Sequence, residues 1–452
     1  MNTELLLTCV FLTLVVGDYQ PRPTYIPHDG YGEFTLTDEP GISKVTFSHQ
    51  PGFKDVIFNN DAVKGVDGMW RVRIDEHQTS TKIMYWVSVV MNGATYTNTP
   101  YTWIKDPLPS LPGRRTRGAV IFRDDFNGNH VDTKHWRVEV SATGDWHNEF
   151  QIYTNDKNNV YVKNGHLYLR PTLTVDHPGF TEQQLHSGVM DLKKVFGICT
   201  NKGFNGCYRD ASKMGQLLPP IMSGRIESLV SYKFGVLEIR AKMPRGDWLW
   251  PAMWTLPTHS SYGGSSVSWA EVDLLEATSN EFFRCKTGSH CKNAGANRIT
   301  SNFHFGPRAQ SHPLPTERRM DHGDYHQDFH TWRLEWNTDH LILYVDNQVM
   351  NRLDVPSGTT IFKKYGFHGP NIYSHGSKIA PFDDPMFLIL NNAVGGTAGI
   401  FPDKDLYAYP KPWGNHAKDP LGEFWSNRHN WLPTWKGEDT ALVIDYVEFR
   451  HL

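Results

Sequence analysis

The sequence has few cysteines, almost no net charge and no apolar run long enough to cross a bilayer. Five of its 452 residues are cysteine, and 45 Lys and Arg stand against 48 Asp and Glu, which gives a formal charge of −3. A charge so close to balance argues against a protein that binds nucleic acid by releasing counterions. No Asn-x-Ser/Thr sequon is present, so N-glycosylation is not supported. The sequence therefore predicts neither a nucleic-acid partner nor a membrane span.

Aromatic residues, by contrast, are abundant. The chain has 15 Trp, 19 Tyr and 24 Phe, which excludes a disordered protein and supplies ample apolar area for a large core. The 22 His are scattered along the chain and do not indicate a metal store. A length of 452 residues favours two or three domains.

The first apolar run, residues 5–16, has the length of the hydrophobic core of a secretory signal and is too short to span a bilayer. We interpret residues 1–17 as a signal peptide because the run begins close to the initiator Met and ends in small residues. The alternative is a buried N-terminal strand. With a signal, the mature protein is secreted and extracellular.

Four cysteines remain after the signal, and an even number in a secreted chain indicates two disulfides. Three pairings are open, and the local one, which closes two short loops, is favoured. A zinc site with four cysteine ligands is the alternative, although neither pair has the C-x-x-C spacing typical of such sites. The four cysteines are Cys199, Cys207, Cys285 and Cys291.

A segment rich in Pro, Gly and Arg, residues 105–118, predicts an exposed linker between a small module and a large domain. On both sides of it, apolar and polar residues alternate in short runs, and long helical periodicity is absent. Residues 18–104 therefore predict a small immunoglobulin-like β-sandwich module. Residues 119–452 predict a large antiparallel sandwich or jelly roll, which makes the whole protein all-β.

The strongest chemical signal is the segment WAEVDLLE, which contains Glu271, Asp273 and Glu276. Side chains alternate faces in a strand, so Glu271 and Asp273 share a face while a regular strand would turn Glu276 away. One inserted residue, a β-bulge at Leu274 and Leu275, would return Glu276 to the acidic face.

Three carboxylates packed together cannot all ionise cheaply, so at least one pKa is raised. One charged and one protonated carboxyl is the pair that glycoside hydrolysis requires. Two alternatives remain: a calcium or magnesium site built on oxygen ligands, and an acidic strand edge that faces water.

A tryptophan cluster, Trp248, Trp250 and Trp254, precedes the acidic strand. Because the C–H faces of sugars stack on indole rings, such a cluster beside paired acids fits a saccharide groove. The alternative is that these side chains fill the core. We expect at least one to be core and Trp250 or Trp254 to line the groove.

These residues resemble the laminarinase-like branch of glycoside hydrolase family 16, whose pattern is E-x-D-x-x-E. Supporting segments include WHNEFQIYT (146–154), WPAMWTLP (250–257) and LILNNAVGG (388–396). The resemblance implies a concave β-jelly roll over residues 119–452. This chain departs from the family in having Ala270 where Gly is usual and Val272 where Ile is frequent.

The resemblance also implies roles for individual residues. Glu271 would be the nucleophile, Asp273 its electrostatic helper and Glu276 the general acid/base. The residues expected to bind substrate are Trp250, Trp254, His304, Asn148, Arg225 and Asn391. No cofactor is required and no metal ligand is assigned, although some members of the family bind a structural calcium ion away from the cleft.

Residues 18–104 resemble the N-terminal β-glucan-binding module of invertebrate β-1,3-glucan-binding proteins, also called Gram-negative-bacteria-binding proteins. The resemblance rests on residues 35–49 and 84–96 and on the order of the two modules. It implies a secreted endo-β-1,3-glucanase acting on laminarin-like glucans with retention. The alternative is a non-enzymatic pattern-recognition protein of innate immunity that binds β-1,3-glucan and other microbial cell-wall components such as lipopolysaccharide.

Overall fold

The computed structural model describes residues 21, 23–28, 31–51, 57–74, 82–97, 101–104, 118–145, 147–263, 268–284, 295–320 and 322–452. The chain divides into two compact units, one up to Lys105 and one from Asp106 onwards. The predicted signal peptide, residues 105–117 of the predicted linker, and both Cys285 and Cys291 lie outside the described residues.

The N-terminal unit consists of two antiparallel sheets. Its described strands are β1 (Thr24–His28), β2 (Tyr31–Thr37), β3 (Ile42–Pro51), β4 (Phe58–Asp61), β5 (Val63–Lys64), β6 (Met69–Ile74), β7 (Lys82–Met91), β8 (Ala94–Thr97) and β9 (Tyr101–Ile104). One sheet has the order β1-β2-β6-β5, and the other has the order β4-β3-β7-β8 with β9 also paired to β7. Phe34 of the first sheet stacks on Phe47 of the second, with ring centroids 5.5 Å apart. The two sheets thus share one core and form the expected β-sandwich; its immunoglobulin-like character stays a prediction.

The second unit is also built mainly from strands. They are β10 (Val120–Asp124), β11 (Trp136–Val138), β12 (Gln151–Tyr153), β13 (Val160–Lys163), β14 (His166–Leu169), β15 (Thr172–Leu173), β16 (Val189–Asp191), β17 (Tyr208–Asp210), β18 (Ile221–Ser223), β19 (Arg225–Tyr232), β20 (Gly235–Lys242), β21 (Leu249–Pro257), β22 (Ser268–Ala277), β23 (Phe283–Arg284), β24 (Arg298–Pro307), β25 (His312–Pro313), β26 (Thr316–Arg319), β27 (His330–Trp336), β28 (His340–Val345), β29 (Gln348–Asp354), β30 (Met386–Val394), β31 (Leu406–Tyr407) and β32 (Leu442–Arg450).

The helices of this unit are short, as the absence of helical periodicity predicts. The α-helices of the described residues are α1 (Glu182–Ser187), α2 (Leu192–Phe196), α3 (Ala211–Met214), α4 (Ile361–Lys364), α5 (Pro420–Ser426) and α6 (Arg428–Trp431). Single turns of 3-10 helix cover Thr174–Asp176, Gly203–Asn205, Arg308–Gln310, Leu432–Thr434 and Gly437–Thr440. Within the described ranges, no helix has the length and apolar character needed to cross a bilayer.

Two large antiparallel sheets form the body of this unit. One has the order β13-β14-β32-β20-β27-β28-β29 with β10 paired to β32, and the other has the order β11-β19-β30-β21-β22-β24-β25 with β26 paired to β24. Fully buried residues from both sheets, such as Leu237 and Trp336 of the first and Val272 and Leu388 of the second, belong to one apolar core. The two sheets therefore form a jelly-roll-type sandwich, and the outer face of the second sheet is left to carry a site.

One apolar run in the sequence divides where a single strand could be expected. Residues 166–173 form β14, which pairs with β32, and β15, which pairs with β18 of a small third sheet. Pro171 lies between them and has no N–H to donate to a sheet, which accounts for the break.

Cys199 and Cys207 form a disulfide. This confirms the local pairing for these two residues and excludes them as thiolate ligands of zinc. The bond closes a short loop that lies against the strand region at residues 140–143, since Ala142 N donates to Gly206 O at 2.7 Å. The second predicted disulfide, between Cys285 and Cys291, lies outside the described residues.

Candidate active site

The acidic strand β22 contains the predicted bulge. Opposite β24, Asp273 pairs with Asn302 and Glu276 pairs with Thr300, so that two residues of β22 face the single residue between them. Those two are Leu274 and Leu275, and both are buried in the core between the sheets. The apolar pair is thus accommodated on the core side, and Glu276 returns to the face that carries Glu271 and Asp273.

The three acids line one cleft of about 570 Å³ on the outer face of the second sheet. Trp250 and Trp254 are four residues apart in β21, so they lie on the same face of that strand. Strand β21 lies between β22 and β30, and both tryptophans line the cleft with the acids. Trp250 is nearly buried and Trp254 is half-buried. Trp248 and Trp250 belong to the same buried apolar cluster, but Trp248 is fully buried and does not line the cleft, whereas Trp250 and Trp254 do.

Each glutamate of the acidic strand accepts a hydrogen bond from an indole. Trp269 Nε1 donates to Glu271 Oε2 at 3.2 Å, and Trp250 Nε1 donates to Glu276 Oε1 at 3.2 Å. Donors of this kind favour the charged form of a carboxylate and fix its orientation. The two glutamates are therefore held by separate groups from two different strands.

Asp273 lies between the glutamates and is almost fully buried. Its Oδ2 atom is 3.2 Å from Nε2 of His304, which stands opposite Glu271 in the register of β24. Burial and the charge of Glu276 raise the pKa of Asp273 well above its ordinary value. A carboxyl held neutral in this position can share a proton with its neighbours.

The pKa values of both glutamates are also raised. For Glu271 the larger cause is burial and the next is the charge of Asp273, while the charge of His304 opposes them. For Glu276 the cause is burial, which His304, the Trp250 hydrogen bond and Arg298 oppose. All three carboxyls cannot be charged together, so the cluster can hold one carboxylate beside one or more protonated acids.

Glu271, Asp273 and His304 are also the one group of the described residues whose ligand atoms could hold a cation, because these atoms lie within 4.8 Å of one another. Calcium takes six to eight oxygen ligands, and this cluster offers two carboxylates and an imidazole. Three ligand groups are too few for calcium. The alternation of side chains along β22 and its pairing with β24 already explain why these three residues lie close together. The absence of a required metal remains a prediction.

The remaining predicted substrate-binding residues fall into two groups. Arg225, His304 and Asn391 line the cleft with the acids and the two tryptophans. Asn148 does not. It is exposed, has φ of +50° and donates from Nδ2 to Thr397 Oγ1 at 3.0 Å. Asn148 is therefore not among the residues that line the cleft, and its role in binding substrate stays a prediction.

Several residues that line the cleft were not predicted from the sequence: Asp145, His147, Glu149, Tyr153, Trp269, Asn302, Arg308 and Ser311. Strand alternation could have identified Trp269, because it precedes Glu271 by two residues on the same face. Residues 145 and 147–149 lie outside the strands and helices, so no periodicity indicates which of their side chains face the cleft.

Two arginine–tryptophan pairs lie on opposite sides of the acids. Arg225 is placed over the ring of Trp254, 5.2 Å from its centroid, and Arg308 is placed over the ring of Trp269 at 4.4 Å. Strands β19, β30, β21, β22 and β24 follow one another across the sheet. Trp254 therefore lies on the strand next to the acids, Trp269 lies on the acidic strand itself, and Arg308 follows β24 on the other side.

The sequence is similar to a known family and to several known proteins. Residues 197–374 match the family described as glycosyl hydrolases family 16. The chain is 37% identical over 349 residues to a β-1,3-glucan-binding protein of Penaeus monodon, an alignment that covers 73% of this chain and 89% of that protein. It is 30% identical over 344 residues to β-1,3-glucan-binding protein 1 of Manduca sexta, covering 75% of this chain and 66% of that protein.

Among solved structures, the laminarinase catalytic domain from Thermotoga maritima superimposes with a TM-score of 0.44 at 20% sequence identity. The superposition covers 75% of this chain and 99% of that domain.

Proposed function

We propose that this chain, which belongs to the β-1,3-glucan-binding protein group of glycosyl hydrolase family 16, is a secreted endo-β-1,3-glucanase that hydrolyses laminarin-like glucans with retention of configuration. The observation that carries the proposal is the bulge at Leu274 and Leu275. It returns Glu276 to the face of Glu271 and Asp273 at the floor of a cleft lined by aromatic rings.

In the proposed reaction, Glu271 attacks the anomeric carbon and forms a covalent glycosyl–enzyme ester. Glu276 donates its proton to the glycosidic oxygen of the departing sugar. Glu276 then removes a proton from water, which attacks the anomeric carbon and releases Glu271. Retention follows because the configuration is inverted twice.

The electrostatics of the cleft bear differently on these two roles. Glu276 needs to be protonated at the start, and its burial raises its pKa. Glu271 needs to be charged; burial and the charge of Asp273 raise its pKa, and the indole N–H of Trp269 and the charge of His304 oppose that rise. Asp273 adjoins both and can take up a proton when Glu271 becomes charged.

The binding of sugar is assigned to the aromatic rings on either side of the acids. Trp250 and Trp254 would stack on glucose residues at one side, and Arg225 and Asn391 would donate to their hydroxyl groups. This assignment is supported by the shared face of β21 and β30, on which Trp250 pairs with Ala393 and Ala252 pairs with Asn391. Small alanine side chains between the larger ones leave room for a ligand.

The retaining mechanism can be tested by proton NMR of the first products formed from laminarihexaose. Retention predicts that the newly formed reducing end appears as the β-anomer before mutarotation. Initial appearance of the α-anomer would contradict the assignment of Glu271 as a nucleophile, because a single displacement inverts the configuration.

The second candidate function is a non-enzymatic recognition protein that binds β-1,3-glucan. It is favoured by the relatives in Penaeus monodon and Manduca sexta, both of which are named β-1,3-glucan-binding proteins. A binder has no chemical need for a second, proton-carrying carboxyl beside the first, whereas this chain has all three acids in one cleft. Binding of laminarin without any release of reducing ends would decide for recognition.

The N-terminal unit is proposed to bind glucan on its own account. It has its own apolar core and more than 80 residues between the predicted signal and Lys105. Removing residues 18–104 is expected to weaken binding to insoluble glucan more than it slows cleavage of soluble glucan. Equal losses on both substrates would contradict a separate binding module.

A further inference from the structure

The indole N–H of Trp254 is the start of a chain of hydrogen bonds that leads to a buried carboxyl. Trp254 Nε1 donates to Asn391 Oδ1 at 2.7 Å, and Asn391 Nδ2 donates to the hydroxyl of Tyr153 at 3.2 Å. The Tyr153 hydroxyl in turn donates to Glu149 Oε2 at 3.2 Å. Four side chains from three segments of the chain are thereby joined along the wall of the cleft.

This chain can run in one direction only. An indole N–H can donate but cannot accept, so the side-chain oxygen of Asn391 must face Trp254. The amide nitrogen of Asn391 is then left to donate to Tyr153. Because the oxygen of Tyr153 accepts that bond, its hydrogen is free for Glu149. The order of donors is therefore fixed by the tryptophan at one end and the carboxyl oxygen at the other.

The far end of the chain is held firmly. Glu149 Oε2 accepts a second hydrogen bond from Gln151 Nε2 at 2.5 Å, and Glu149, Gln151 and Tyr153 are all buried. Gln151 also accepts from the backbone N–H of Val394 at 2.7 Å through Oε1, which ties this end to β30. A buried polar group that loses its hydrogen-bond partner is destabilising, so the arrangement resists local rotation of any one member.

The near end of the chain lies where a sugar ring would be placed. Trp254 is half-buried in the cleft, and Arg225 is placed over its ring. Arg225 is itself held by Glu139 at 2.9 Å and Asp145 at 3.2 Å. The guanidinium contacts one face of the ring, and the bond from Nε1 to Asn391 holds one edge of it. Together they restrain rotation of the indole about its Cα–Cβ and Cβ–Cγ bonds.

We propose that Glu149 is a positioning residue that, through Tyr153 and Asn391, fixes the indole of Trp254 and with it the glucose residue that stacks there. This inference rests on the proposed binding of β-1,3-glucan in the cleft. In this proposal the chain of hydrogen bonds contributes to affinity for the sugar and not to the step that breaks the glycosidic bond. Loss of the chain should therefore raise KM while kcat changes little.

A double-mutant cycle tests the coupling directly, using laminarihexaose and the full-length protein with Glu271→Gln in every variant, so that the sugar is not cleaved during the titration. Tyr153→Phe keeps the ring but removes the link, and it is expected to weaken binding about 5–20-fold by isothermal titration calorimetry. In a Trp254→Phe background, which has no N–H for the chain to hold, the same change should weaken binding less than about twofold. Equal effects in both backgrounds would overturn the proposal.

Two further variants separate positioning from a general loss of structure. Glu149→Leu should reproduce the weakening, whereas Glu149→Gln, which retains an acceptor oxygen for Tyr153, should recover most of the affinity. Tyr232→Phe is the matched control, because Tyr232 lies on β19, in the sheet that contains Trp254 and Asn391, and its buried hydroxyl has no hydrogen-bond partner among the described residues. No recovery by Glu149→Gln would contradict the role of the acceptor.

The cycle also distinguishes this inference from the proposed function. The cycle measures dissociation constants and not rates. An inactive wild-type protein would therefore refute the proposed hydrolase activity, while the coupling between Tyr153→Phe and Trp254→Phe would still test the role of the hydrogen bonds. Absence of any binding to laminarihexaose would overturn both. Binding with additive effects of Tyr153→Phe and Trp254→Phe would overturn the inference alone.

Discussion

Trp250 Nε1 donates to Glu276 Oε1 at 3.2 Å, and this bond joins the sugar-facing strand β21 to the proposed general acid. It stabilises the charged form of Glu276 and so opposes the rise in pKa that burial causes. One indole therefore has two roles: its ring would contact sugar, and its N–H adjusts the proton affinity of the group that would protonate the glycosidic oxygen.

Trp250→Phe should move the alkaline limb of the kcat/KM profile to higher pH. Without the N–H donor, the pKa of Glu276 rises further, so the acid remains protonated to a higher pH. Initial rates on laminarihexaose between pH 4 and pH 9 measure this. The displacement expected from one lost hydrogen bond is about one pH unit.

Trp269→Phe is the matched control, since Trp269 donates to Glu271 at the same distance of 3.2 Å. Its loss should raise the pKa of the nucleophile, and because the nucleophile must be charged, the acid limb should move to higher pH. A shift of the same limb by both variants would contradict the separate roles of the two glutamates.

His304→Gln should move both limbs of the pH profile to higher pH. The positive charge of His304 lowers the pKa of Glu271 and of Glu276, so its removal raises both. The effect should be largest at low pH, where Glu271 would then be protonated and unreactive. His340→Gln, in the other large sheet, provides the control, and a profile for His304→Gln that coincides with it would exclude the electrostatic role.

Glu149→Gln should stabilise the protein at neutral and alkaline pH. Burial and the charge of Asp145 raise the pKa of Glu149 from 4.5 to about 8. A carboxyl whose pKa is raised on folding stabilises the folded state below its unfolded pKa, and this contribution is lost as the pH rises through the folded value. The wild type should thus lose stability between about pH 4.5 and pH 8 relative to the variant.

The displacement of the pKa from 4.5 to about 8 corresponds at pH 8 to a difference of about 4 kcal/mol in the free energy of unfolding between wild type and Glu149→Gln. Urea unfolding at pH 4.5 and pH 8 measures it. Equal stability of wild type and variant at both pH values would show that Glu149 titrates normally.

Replacing the disulfide by Cys199→Ala and Cys207→Ala should lower the free energy of unfolding by about 2–3 kcal/mol, the amount expected for a loop of this length. The two cysteines are separated by eight positions in the sequence. The acids lie on β22, whereas the disulfide closes a loop outside the two large sheets. The rate on short glucans should therefore remain within about twofold of wild type below the unfolding transition. A large loss of rate without a loss of stability would indicate that the loop contributes to the cleft.

The parts of the site that follow from strand periodicity were predictable. The spacing of Glu271, Asp273 and Glu276 departs from alternation by one position, and a bulge is the backbone's means of correcting that departure. The apolar character of Leu274 and Leu275 identified where the extra residue lies. The position of the bulge could therefore be derived from the residues alone.

The remainder of the cleft depends on contacts between residues far apart in the sequence. Arg225 and Asn391 were identified through a family resemblance, and no pattern within the chain showed that they meet. Among residues 147–149, which lie outside the strands and helices, the prediction selected Asn148, whereas its neighbours His147 and Glu149 line the cleft. No alternation exists in such a segment, so the direction of each side chain is decided by tertiary contacts.

The most direct test of the central claim is the release of reducing sugar from laminarin by the wild type and by Glu271→Gln. Glu281→Gln, which removes an acid that does not line the cleft, is the matched control. The account predicts turnover by the wild type and the control, and a loss of at least about 10³-fold in Glu271→Gln with glucan binding retained. Turnover by Glu271→Gln at the wild-type rate, or none by the wild type, would contradict it.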